Sequence, residues 1–144
     1  MSRPTTPSLT VDTIIELVDQ PDRPIVLIER KFEPFGFALP GGFVDVGETV
    51  ENAAIREARE EVSLEVELTR LLGCYSAPDR DPRGHTVSLV YIAKAKGLPV
   101  AEDDARSVAV YSMDKLPQNF AFDHAQIIAD YLHYRATGST PAPY

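Results

Sequence analysis

Tryptophan is absent from this chain, methionine occurs twice and cysteine only once. With Cys74 alone, an intrachain disulfide and a cysteine zinc site are both excluded, which fits a reducing compartment, and the cytoplasm is the expected location. No stretch approaches the ~20 apolar residues of a membrane-spanning helix. The polar opening MSRPTTPSLT has no apolar run of the kind a signal peptide needs. Positive charge is scarce as well: 14 Lys and Arg stand against 22 Asp and Glu, a net charge of −8. A nucleic-acid backbone is therefore not an expected partner, and neither is a membrane. Acidity does not exclude phosphate ligands, because metal ions and a few local arginines reverse the sign within a site.

What is present is ordinary globular material, 44% apolar and 25% charged over 144 residues. One domain over 1–144 is expected, with loose ends at 1–8 and 137–144. LTVDTIIELV (9–18) is rich in β-branched residues and reads as a strand with a bulge at Ile14–Ile15. The turn cluster DQPDRP leads into PIVLIER (24–30), a second strand completing a hairpin; its unbroken apolar run implies burial on both faces. KFEPFGFALPGGF (31–43) reads as an irregular surface crossing with a short strand near Phe37–Leu39. Further strands are expected at 64–77, bent at Gly73, at 85–95 and at 107–113. PDRDPRG (78–84) reads as a charged turn too polar for the core, and Asp123 as the cap of a last helix carrying Ile127, Ile128, Tyr131 and Leu132 on one stripe. Strands, helix, strands, helix give an α/β (α+β) domain in which helices cover a mixed sheet.

The stretch GFVDVGETVENAAIREAREEVSL (42–64) organises the rest. Thr49 is placed to cap a helix running to Val62, with Glu51 in its first turn. At ~100° per residue, Glu57, Glu60 and Glu61 share one side of that helix, while Ile55, Ala58 and Val62 share another. Taken alone, such carboxylates are more often a solvated face. They are also hard donors suited to Mg²⁺ or Mn²⁺.

Gly42, five residues, Glu48, seven residues, then Arg56-Glu57-Ala58-Arg59-Glu60-Glu61-Val62-Ser63-Leu64 resembles the signature of the Nudix hydrolases, G-x5-E-x7-R-E-U-x-E-E-x-G-U with U apolar. Only Ser63 departs from it, standing where the signature has glycine. The resemblance implies an α/β/α sandwich around a mixed sheet, and a magnesium- or manganese-dependent hydrolase of nucleoside diphosphates linked to another group. It implies Glu57, Glu60 and Glu61 as catalytic metal-binding residues, the Gly41 carbonyl as a further ligand, and Glu48 with Arg56 as a bracing ion pair. A later acidic group serving as ligand or base would come from Glu102, Asp103 or Asp104, a cluster that reads equally as a solvated loop tip; Glu57 or Glu61 could instead take the proton of the attacking water.

The stretch 75–86 and Ala121-Phe122-Asp123-His124 resemble the ADP-ribose pyrophosphatase branch. Arg80 and Arg83 in that loop are placed to hold phosphate or ribose oxygens of a small-molecule nucleotide, and read equally as a solvated charged turn; Arg30, at the end of a buried strand, is a further candidate for the phosphates or a residue that only flanks the sheet. The resemblance also makes a homodimer the expected assembly. The alternatives are the same hydrolysis on a (d)NTP, another nucleotide sugar or a dinucleoside polyphosphate, and, in another class, a non-catalytic ADP-ribose sensor. His85 and His124 read as strand-edge and helix-cap residues or as substrate contacts. Phe35, Phe37 and Phe43 read as base-stacking candidates, with core packing the default for at least two.

Overall fold

The computed structural model describes residues 2–102 and 105–141. Seven strands form one sheet: β1 Ser8–Leu17, β2 Ile25–Arg30, β3 Phe37–Ala38, β4 Gly41–Phe43, β5 Glu67–Tyr75, β6 Thr86–Ala95 and β7 Ala105–Tyr111. Two helices, α1 Val50–Val62 and α2 His124–Thr137, complete the architecture with a short 3₁₀ turn at Met113–Lys115. The sheet is mixed: β1 and β6 run parallel, and every other pairing is antiparallel. No helix among the described residues is long and apolar enough to cross a membrane.

β1 is the spine. It pairs with β6 from Ser8 to Leu17 without a register break, so the bulge expected at Ile14–Ile15 is not there. Consecutive apolar residues arise for another reason: both faces of β1 are covered, which leaves no exposed face to alternate with. Ile15 and Leu17 join Val26, Ile28, Ala58 and Val62 on one side, while Ile14 joins Ile25, Leu27, Ile127, Ile128 and Tyr131 on the other. The helices thus lie on opposite faces, α1 over the first cluster and α2 over the second. β1 begins at Ser8 and α2 runs through Thr137, so these two residues, expected within loose ends, belong to regular elements; 1 and 142–144 lie outside the described residues.

The other edge of β1 is divided. β2 meets it at Glu16, whereas β4 pairs with Thr10, Val11 and Asp12, and the Thr13 N–H donates to the Pro40 carbonyl between them. Gly41 and Gly42 were expected in a loop; they lie in β4, and neither has the positive φ of a tight turn. Close approach is what requires them. A Cβ on Gly41 would stand 2.2 Å from the Val11 carbonyl oxygen, and one on Gly42 would stand 2.5 Å from the Glu57 carboxyl carbon. Gly47, at φ +93°, is the glycine that conformation requires.

α1 starts where Thr49 accepts the Asn52 N–H at 3.1 Å. Ala53, Ala54 and Ala58 are buried, and their small side chains let the helix settle close to the sheet. The helix stops at Ser63, which adopts the left-handed conformation at φ 58° and donates its N–H back to Ala58 and Arg59. The position conventionally given to glycine therefore keeps its backbone geometry with serine in place.

Candidate active site

α1 turns its three carboxylates toward β4, but their surroundings differ. Glu61 is buried, and its Oε2 accepts the Gly41 N–H at 3.0 Å. Glu57 lies against Gly42 in the space a Cβ would fill. Glu60 remains largely open to solvent.

Arg56 gathers this side of the cleft. Its Nε and Nη2 donate to the two oxygens of Glu48 at 3.0 and 2.6 Å, and Nη1 donates to Glu57 at 2.9 Å and Glu60 at 3.0 Å. Nη2 also donates to the Phe43 carbonyl, which ties helix to strand. The Arg56 hydrogen bonds, aided by the Asp45 N–H, pull the Glu48 carboxyl down to about 2. The same pairing pushes the Arg56 guanidinium above its ordinary value. Such two-point contacts suit a planar guanidinium and would not survive exchange for lysine.

Arginines form the opposite wall, and here the structure departs from expectation. The turn 78–84 is not wholly superficial, for Arg80 and Asp81 are buried. Arg80 donates from Nε and Nη2 to Asp123 at 2.9 and 2.7 Å and from Nη1 to Thr86 at 2.8 Å, so its charge is compensated inside the fold. Asp123 consequently does not cap α2 with its side chain; its backbone carbonyl receives the Gln126 and Ile127 N–H groups instead. Arg83 pairs with Asp81 through Nε and Nη2. Burial alone would push the Asp81 carboxyl up, but hydrogen bonds and charge from Arg83 outweigh it and leave it low.

Phe122 joins these elements. The Arg30 guanidinium lies 4.8 Å from its ring centroid and that of Arg83 lies 5.2 Å away, so one ring holds two cations. Its backbone sits at φ 56°, a strained conformation for a bulky residue. Arg30 also donates from Nε to the Pro34 carbonyl at 2.7 Å. Arg30, Arg83, Gly41, Gly42, Phe43, Glu57, Glu60 and Glu61 all line one cleft. Phe43 is 52% exposed there and Phe35 is 60% exposed, so core packing, the default for two of the three phenylalanines, does not hold for either.

A second recess opens beside the first, lined by Thr10, Asp12, Gly41, Glu61, Arg80 and His124 among others. Asp12 accepts the Ser88 hydroxyl at 2.5 Å, and His124 Nε2 stands 3.7 Å from the same oxygen. Burial would push the Asp12 carboxyl up; the pull of His124, the Ser88 hydrogen bond and the Arg80 charge overcome it and keep the carboxyl below its usual range. His124 is a buried residue whose Nδ1 accepts the Leu39 N–H at 3.0 Å. Asp12 and Ser88 were not singled out from the sequence, and Thr86 and Phe122 were read only as members of the two stretches resembling the ADP-ribose pyrophosphatase branch. For Asp12 the one available signal was a charged residue in the middle of an apolar strand.

The acidic loop reaches the end of α1 through its backbone, Glu102 N–H donating to the Glu61 carbonyl and Val100 N–H to that of Val62. The Glu102 side chain is exposed, and Asp103 and Asp104 lie outside the described residues. Among the described residues no three acidic or histidine side chains stand ready-gathered around one point, since Arg56 draws Glu57 and Glu60 to itself. The donor chemistry nevertheless fits a divalent ion: hard carboxylates line the cleft, and the missing Cβ of Gly42 leaves Glu57 room beside β4.

Comparison with known proteins decides the family, because the NUDIX domain profile matches residues 9–131. The chain belongs to the NUDIX domain family. It is 48% identical over 132 residues to a Methanocaldococcus jannaschii protein named ADP-ribose pyrophosphatase, covering 90% of this chain and 75% of that one. A Francisella tularensis bifunctional NMN adenylyltransferase/ADP ribose pyrophosphatase, solved with AMP and a manganese ion, superposes with a TM-score of 0.74 at 30% identity. That match covers 92% of this Nudix chain and 43% of the longer Francisella chain. The NUDIX domain of Shewanella oneidensis NrtR, solved with ADP ribose, gives a TM-score of 0.78 at 26% identity, covering 92% of this chain and 90% of that one. The mixed sheet between α1 and α2 is thus the Nudix fold.

Proposed function

We propose that this Nudix domain hydrolyses the pyrophosphate of ADP-ribose to AMP and ribose 5-phosphate with a divalent cation, magnesium or manganese. The observation that carries the reading is the cleft with opposed walls, Glu57, Glu60 and Glu61 on one side and Arg30 and Arg83 on the other. A pyrophosphate needs both: cations at its oxygens and carboxylates that hold metal beside it. The substrate choice is supported by the 48% identity to the Methanocaldococcus protein of that name.

In this reading Glu57, Glu60 and Glu61 hold the metal with the Gly41 carbonyl, and Glu102 or Asp103 supplies a later acidic group. When bound, the ion polarises phosphorus–oxygen bonds and lowers the pKa of water. Water oxygen attaches to one phosphorus, the bridging P–O bond breaks, and the water's proton passes to Glu57 or Glu61 while the departing phosphate takes one up. Arg30 and Arg83 orient the phosphates, Phe122 orients both arginines, and Arg80 braces the wall behind them. Since phosphoryl transfer asks for little covalent chemistry from a protein, positioning and charge carry most of the effect.

The experiment is product release from ADP-ribose, other nucleotide sugars, dinucleoside polyphosphates and (d)NTPs with Mg²⁺ or Mn²⁺. ADP-ribose is expected to rank first, and Glu61→Gln to lose about a thousandfold in kcat, the several kcal/mol that metal catalysis contributes. A variant with intact turnover would overturn the metal-helix mechanism. ADP-ribose binding without turnover under either metal would make the domain a sensor.

A further inference from the structure

We infer that Asp12 is a specificity-determining residue: its carboxylate accepts hydrogen bonds from a vicinal diol of the substrate, a ribose edge, in the recess beside the carboxylate cleft. This deepens the ADP-ribose reading and rests on it. Asp12 is 8% exposed, an acid deep in the fold that still lines a recess. Its two recorded partners, Ser88 and His124, both approach Oδ2. Oδ1 lies toward Gly41, so close that a Cβ there would stand 2.4 Å from it. The absent side chain of Gly41 therefore leaves this oxygen beside the strand that borders the carboxylate cleft.

The anchoring is directional. His124 Nδ1 accepts the Leu39 N–H, so Nε2, the nitrogen that faces Asp12, is the one that carries hydrogen. Ser88 thus holds Oδ2 with a hydrogen bond, His124 Nε2 faces the same oxygen at 3.7 Å, and Oδ1 is the oxygen that would meet a ligand. A carboxylate can accept about four hydrogen bonds, more than the one Ser88 supplies.

The chemistry of the ligand follows from charge and size. A carboxylate repels a phosphate, and Arg30 and Arg83, which line both the recess and the cleft, are the groups that would meet phosphate oxygens where the two spaces join. What Asp12 attracts is a donor, either hydroxyl or amine. The recess holds about 60 Å³, room for roughly four water-sized groups at about 15 Å³ each, which suits the hydroxyl edge of a sugar better than a purine ring.

The test compares kcat/KM for ADP-ribose with that for its analogues deoxygenated in one ribose or the other, in the wild-type protein and in Asp12→Asn. One analogue is expected to be about tenfold poorer for the wild type, the effect of a hydrogen bond to a charged group. In Asp12→Asn that discrimination is expected to shrink to within a factor of two, with the loss on ADP-ribose appearing in KM. Asp12→Ser, which keeps a hydroxyl beside Ser88, gives the same reading where Asp12→Asn does not fold. A wild type indifferent to both deoxygenations, a variant that loses the same factor on every analogue, or a failure of both variants to fold would each overturn the assignment and leave Asp12 structural. If the wild type does not hydrolyse ADP-ribose, the parent reading fails and this one falls with it. Hydrolysis with unaltered discrimination in the variant defeats this inference alone.

Discussion

The carboxylate wall of the cleft comes from one helix, Val50–Val62, whereas the arginine wall is collected from three places. Arg30 ends β2, Arg83 precedes β6 and Phe122 precedes α2. In the first wall the helical repeat alone sets the spacing of the acids, Arg56 holds Glu57 and Glu60, and the Gly41 N–H meets Glu61. In the second nothing local sets the spacing, so a ring with a strained backbone and the buried Arg80–Asp123 pair hold the parts together. The same function of placing charge is met by periodicity on one side and by tertiary contacts on the other. The two walls should therefore break differently.

The sharpest contrast is between the two glycines of β4. Gly42→Ala brings a methyl against a flexible carboxylate, so the protein is expected to fold while Glu57 is displaced and kcat falls about a hundredfold, some 3 kcal/mol of lost transition-state stabilisation. Gly41→Ala meets the Val11 backbone instead and is expected to destabilise the fold by about 3 kcal/mol, the upper range for overpacking. Urea denaturation beside steady-state kinetics separates the two; equal stability in both variants would remove the distinction between site and scaffold.

On the arginine wall, Phe122→Leu keeps bulk and removes the ring face. Loss of two cation–π contacts at about 0.5 kcal/mol each is expected to raise KM about fivefold, with little change in melting temperature. An unaltered KM would mean that Arg30 and Arg83 hold their places without the ring.

A smaller effect concerns acid. Glu48 is held at about 2, below its ordinary 4.5, so its pairing with Arg56 stabilises the folded state above pH 4.5 and that contribution fades as pH falls toward 2. Glu48→Gln should show a shallower loss of stability than wild type across this window in chemical denaturation. Parallel curves would place the acid sensitivity elsewhere.

The smallest expected change is a gain. Ser63→Gly relieves a left-handed residue at the end of α1 and should add about 1 kcal/mol, raising Tm by roughly 3 °C without altering kcat. A lower Tm would show that serine contributes something its φ angle does not reveal.

Much of the fold could be read directly. The strand at Ile25–Arg30, the Thr49 cap and the irregularity near Gly73 were all legible because each depends on residues close in sequence. Misreadings clustered where partners are distant. Arg80 looked like surface because its compensating Asp123 is 43 residues away; Asp123 is the N-cap residue of α2 as expected, but its side chain goes to that distant arginine and not to the helix. Asp12 drew no reading of its own from the strand that carries it; Ser88 and His124, which it meets beside the cleft, lie 76 and 112 residues further on.

By itself, then, the sequence determined the helix, its cap and the angular grouping of Glu57, Glu60 and Glu61, since local backbone geometry carries that information within a few residues. Only the tertiary structure decided that Glu61 is buried against Gly41, that Arg80 turns inward, and that Phe122 lies between two cations. Those outcomes depend on which charge meets which partner once water is excluded, and no repeat along the chain encodes that meeting.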